Sequence, residues 1–86
     1  MDCKLTLVKR DIAGDTILVP VGEASLKLKG LITLNGTASF LWDVLPDAAG
    51  PEELVDRLEE AFDADRATLE ADVAAFLADL TKWGVL

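Results

Sequence analysis

Sixteen carboxylates, one cysteine and no histidine set the chemistry open to this 86-residue chain. Without imidazole, and with a single thiol, it cannot build a Cys/His zinc site, a Ser-His or Cys-His nucleophile pair, a histidine general base or a disulfide. The carboxylates are what is left. Asp63, Asp65 and Glu70 have the oxygen chemistry of a calcium loop, but they lack its ligand spacing and internal glycine. They fall where a helix starts, and aspartate there is a capping residue. Asp43 with Asp47 and Glu59 with Glu60 lie on polar helix faces or ends and read as solvated charge. Cys3 has no partner near the chain start, the setting of an inert thiol. Asn35-Gly36-Thr37 lacks the lysine and glycine run of a phosphate loop. These residues predict a protein that is not an enzyme and holds no cofactor or metal of its own.

The elements that carry these residues change character near Asn35. Before it, Leu5, Leu7 and Lys9 alternate as a first strand, and Ala13-Gly14-Asp15 is a turn. Thr16–Val19 forms a second strand limited by Pro20. Val21-Gly22-Glu23 turns again. Leu26 and Leu28 alternate with Lys27 and Lys29, and Leu31–Leu34 is a further strand or the second half of a bulged one.

From Asn35 the period becomes helical. Asn35 or Thr37 caps a helix with its stripe at Ala38, Leu41, Trp42 and Leu45. Pro51 opens a second helix, with Glu52 and Glu53 in its first turn and Leu54, Val55, Leu58, Ala61 and Phe62 on its apolar face. Asp63 or Asp65 caps a third, with Leu69, Val73, Phe76, Leu77 and Leu80, closed by Gly84. Val85-Leu86 is expected to fold back on the core. The fold class expected is α+β: one domain over residues 1–86, a winged helix-turn-helix with a small antiparallel sheet of about three strands followed by three helices. Trp42→Ala is expected to cost ~3–5 kcal/mol, as large-to-small aromatic changes in a core do.

Residues 1–42 carry five basic and four acidic side chains, whereas residues 43–86 carry three basic and twelve acidic ones. A phosphate backbone is repelled by the second half and gains little from the first, so nucleic acid is not the expected partner. No run approaches the ~18 uncharged apolar residues of a membrane span, and no basic segment leads an apolar one as in a secretory signal. A cytoplasmic protein with no membrane partner is the expectation.

Binding remains, and a small sheet always exposes edges with free N–H and C=O groups. The segment Lys27–Leu34 is the candidate edge for an added peptide strand. Three or four backbone hydrogen bonds at about 1 kcal/mol each only offset the roughly 2–5 kcal/mol of ordering a flexible peptide. A micromolar complex, near −8 kcal/mol, therefore needs apolar side chains seated in a groove. The third helix offers one, because Ala71, Ala74, Ala75 and Ala78 interleave with Val73, Phe76, Leu77 and Leu80. Alanine's helix propensity explains the same pattern without a groove.

The block Leu34-Asn35-Gly36-Thr37-Ala38, then Phe40-Leu41-Trp42 and Leu45, resembles the signature of the PqqD-like family, also called RiPP recognition elements. Glu53-Leu54-Val55, Leu58 and Ala61-Phe62-Asp63 are similar to its second helix, and Asp72-Val73, Phe76-Leu77, Leu80 and Trp83-Gly84-Val85-Leu86 to its close. The resemblance covers Gly30–Leu86 in order, and the chain departs from the shortest members by a longer Gly22–Lys29 connection. It implies a non-catalytic chaperone that binds the leader of a ribosomally made precursor peptide and presents it to a modifying enzyme, often a radical S-adenosylmethionine protein that carries the iron–sulfur chemistry. It implies that the leader pairs with Gly30, Leu31, Ile32, Thr33 and Leu34 and lies against Val73, Phe76, Leu77 and Leu80. Lys27 and Lys29 are expected to attract acidic leader side chains, and a proline at Ile32 to remove a donor from the pairing edge. A monomer or weak homodimer is expected. The alternatives are a structural dimerisation module using the same edge and a winged-helix nucleic-acid binder, which would need a basic recognition helix.

Overall fold

A computed structural model describes residues 1–28 and 30–86. The chain runs β1 (Leu7–Ile12), β2 (Asp15–Pro20), α1 (Ala24–Lys27), β3 (Ile32–Leu34), α2 (Gly36–Val44), a 3₁₀ turn (Leu45–Asp47), α3 (Pro51–Ala61) and α4 (Arg66–Lys82). The sheet is antiparallel in the order β1-β2-β3, so β2 is central and both other strands are edges. Helices α3 and α4, joined by a tight turn, supply the helix-turn-helix of the expected α+β layout.

Ile12 pairs with Asp15, so Ala13-Gly14 is a two-residue hairpin loop. Both loop residues have positive φ, 53° and 86°, the type I′ geometry whose twist matches that of the flanking strands. Such a loop closes on a hydrogen-bonded pair, and bonded pairs then alternate along the ladder. Ile12–Asp15, Arg10–Ile17 and Val8–Val19 are thus the bonded pairs between β1 and β2. The Val21 N–H donating to the Thr6 carbonyl at 3.1 Å continues that parity. On β2 the backbone groups of Thr16 and Leu18 must then face β3, where they meet Leu34 and Ile32. Thr33 is left with its N–H and C=O on the open side.

One sheet face holds Leu7, Leu18 and Leu34 in the core beside Leu41, Leu45, Leu54, Leu58, Val73 and Leu80. Asn35 caps α2 by accepting a hydrogen bond from the Ala38 N–H at 2.8 Å. At the far end, Gly84 (φ 76°) lets its own N–H reach the Thr81 carbonyl at 3.1 Å and the Val85 N–H reach the Leu80 carbonyl at 2.8 Å. These two bonds are a Schellman close. They turn Val85 fully inward, and the Lys4 N–H donates to its carbonyl.

Three expectations are corrected. The first strand starts at Leu7, although Leu5 is buried before it. Leu26 and Lys27 are not strand: Ala24–Lys27 is one helical turn. Its N–H groups find carbonyls at Val21, Gly22 and Glu23, Ser25 Oγ donates to the Gly22 carbonyl at 2.6 Å, and Ala24 is the buried anchor. Local hydrogen bonds there outweigh four residues of alternation, and Leu26 remains 79% exposed. Trp42 is only half-buried, and the fully buried anchors are Leu41 in α2 and Leu45 in the 3₁₀ turn that follows it. Truncation of Trp42 is therefore expected to cost less than a full core deletion.

Candidate functional site

The open edge of β3 does not face bulk water alone. Beside it lies a groove of about 180 Å³ walled by Thr33 and Leu34 on one side and by α4 on the other. The α4 wall is Asp72, Ala75, Phe76 and Asp79, continued by Trp83 at the helix C-cap. Asn35, Thr37 and Ala38, the cap and first turn of α2, close one end, with Leu41 at the floor. Spacings of three and four along α4 put its four wall residues on one stripe. A second, shallower depression of about 270 Å³ is formed by Leu28, Gly30, Leu31 and Ile32, and it shares Thr33 and Trp83 with the first. Trp83 stands at the boundary of the two. The start of β3 thus lies by Trp83 and its end by the middle of α4, so strand and helix run antiparallel along the groove.

The sequence-derived site residues divide into four groups. Leu31, Ile32, Thr33 and Leu34 lie together at the edge, with Gly30 at its start. Leu34 is buried and holds the strand to the core, whereas Leu31 is 61% exposed. Phe76 lines the groove. Val73 and Leu80 do not, because both are fully enclosed in the core, and Leu77 is half-buried against the core outside the groove. Lys27 sits apart, in a depression with Lys4, Thr6 and Val21. Lys29 lies outside the described residues.

Residues that sequence reasoning missed are Asp72, Asp79, Trp83 and the α2 cap with Thr37. The usable signal was the Asp72–Phe76–Asp79–Trp83 stripe, displaced on the helix from the apolar one. Asp72 and Asp79 read as ordinary solvated acids until β3 is placed beside them.

Among the described residues no three His, Cys, Asp or Glu side chains are placed to hold a metal ion. Desolvation raises the pKa of the Cys3 thiol above its ordinary value, although the residue is exposed by surface area. The salt bridges are structural. Arg66 ties Asp56 and Glu59 of α3 to the start of α4, and Lys9 of β1 reaches Asp43 of α2 at 2.6 Å.

The family model for Coenzyme PQQ synthesis protein D (PqqD) matches residues 16–86. Among solved structures, TbiB1 in complex with the TbiA(beta) leader peptide is similar at 26% identity and a TM-score of 0.73, over 100% of this chain and 94% of that one. Lasso peptide synthetase B1 complexed with the leader peptide shares the fold at 20% identity and a TM-score of 0.71, over 99% and 96% of the two chains. No curated protein sequence matches the chain.

Proposed function

This chain belongs to the PqqD family, and from that premise we propose that it is a non-catalytic chaperone for a ribosomally made precursor peptide. It binds the leader as a fourth strand on β3 and presents the rest to a modifying enzyme. The observation that carries this reading is the juxtaposition of the outward Thr33 backbone with the groove against α4. Backbone pairing there uses Thr33 and, by the same parity, Leu31, about four hydrogen bonds that roughly balance the cost of ordering the peptide. The surplus comes from leader side chains, which alternate in direction along an added strand, so every second one enters the groove. Its 180 Å³ exceeds the ~150 Å³ cavity that accommodates a benzene ring. One leucine-sized or aromatic side chain fits.

Two solved relatives of the same fold are held with leader peptides, which supports the same occupant here. The enzyme partner is of the radical S-adenosylmethionine type, supplies the redox chemistry and brings its own cofactors. No helix among the described residues is long and apolar enough to cross a membrane. The reading places the protein's work in the cytoplasm, where a ribosome releases such a precursor.

Titration of candidate leader peptides into the isotopically labelled protein tests the reading. Resonance shifts are expected at Leu31–Asn35 and along Asp72–Trp83. Saturable binding that instead shifts β1 would place the peptide on the wrong edge and overturn the assignment.

A further inference from the structure

We infer that the groove selects a basic leader segment: an apolar anchor side chain with a lysine or arginine two residues away on one or both sides. This rests on the peptide-binding reading above and names the chemistry of its ligand. Among the described residues, the charged side chains lining the groove are acids, Asp72 and Asp79. Asp72 and Asp79 are exposed, and among the described residues neither has a cation within salt-bridge distance. Lys27, one of the two lysines expected to draw acidic side chains, lines another surface.

Helix and strand geometry set the spacing. At 1.5 Å rise per residue, Asp72 and Asp79 stand about 10 Å apart along the α4 axis, each about 5 Å from the Ala75–Phe76 centre. A strand rises about 3.3 Å per residue, so side chains on the groove-facing side recur about every 6.6 Å. An anchor seated over Ala75 and Phe76 therefore puts its i−2 and i+2 neighbours level with the two carboxylates, and a long flexible basic side chain covers the remaining distance. An acidic residue at either place meets a like charge. The overall charge of −8 favours the same sign of ligand at longer range.

The test is a selection of displayed random nonapeptides on the wild-type protein and on the Asp72→Asn/Asp79→Asn double variant. Both positions are exposed and the change is nearly isosteric, so circular dichroism should show the same folded state. The wild-type pool is expected to be enriched in Lys or Arg, and depleted of Asp and Glu, two residues from an apolar anchor. The double-variant pool should keep the anchor and lose the charge preference. For one selected peptide, replacing a flanking Lys by Gln should weaken binding about 3-fold, the scale of an exposed ion pair, and the difference should shrink at high salt. A wild-type pool with an anchor but no basic enrichment overturns this inference and leaves peptide binding standing. A selection that yields no binder on the folded wild-type protein overturns the peptide-binding reading, and this inference with it.

Discussion

The two edges of the sheet present similar backbone groups to very different surroundings. On β1, parity leaves Leu7, Lys9 and Asp11 with outward N–H and C=O groups, and on β3 it leaves Thr33. The β1 edge carries three successive charged residues, Lys9, Arg10 and Asp11. Lys9 shares the core-side face with Leu7, and its amine is held by Ser39 Oγ at 3.2 Å and Asp43 at 2.6 Å on α2. An edge strand with charges, one of them pinned inward, discourages an added strand. The β3 edge has no charge over Ile32–Leu34 and ends directly in the α2 cap. Free donors alone do not make a peptide site. What distinguishes β3 is the groove against α4 that lies beside it.

The largest expected effect lies beneath both edges. Leu18, fully buried on the central strand, should destabilise the protein by about 2–5 kcal/mol when changed to alanine, read as a fall in the urea midpoint, with both edges lost together. Next comes the direct comparison of edges. Thr33→Pro removes an outward donor and should weaken leader binding about 10-fold, one to two hydrogen bonds' worth. Asp11→Pro removes the equivalent donor on β1 and should leave affinity unchanged by calorimetry. Equal losses from both would erase the distinction. A proline at Ile32 does not make this test, because its N–H belongs to the β2 ladder.

Opening the protected edge should have a smaller effect. Lys9→Thr removes a pair worth at most about 1 kcal/mol, since Lys9 and Asp43 remain partly exposed. It should nevertheless raise concentration-dependent self-association in sedimentation, with no change for the corresponding neutral substitution at exposed Lys4. The smallest change is at the hairpin. Ala13 sits at φ 53°, and Ala13→Asn should add about 0.5–1 kcal/mol of stability by relieving the left-handed strain, without touching affinity at the β3 edge.

Much of this was legible in the residues. The hairpin turn at Ala13-Gly14, the Asn35 cap, Pro51 with its acidic first turn and the Gly84 close are local signals, set by backbone sterics and end-of-helix hydrogen bonding within a few residues. The lack of histidine likewise took imidazole out of the chemistry open to the chain before any fold was known. The turn at Ala24–Lys27 was not legible, because four alternating residues carry too little information to separate a strand from an exposed helical turn. On α4, sequence placed Val73 and Leu80 in the groove because apolar stripes and binding stripes look alike at helical spacing.

From the sequence alone came the family resemblance, the α+β order and the presence of a strand edge near a small-residue helix. Tertiary structure decided which backbone groups that edge presents and which face of α4 it meets. Ladder parity depends on the loop that closes a distant hairpin, and burial depends on how the central strand seats against the helices. Both are relations between segments far apart in the chain, which no local pattern of residue types encodes.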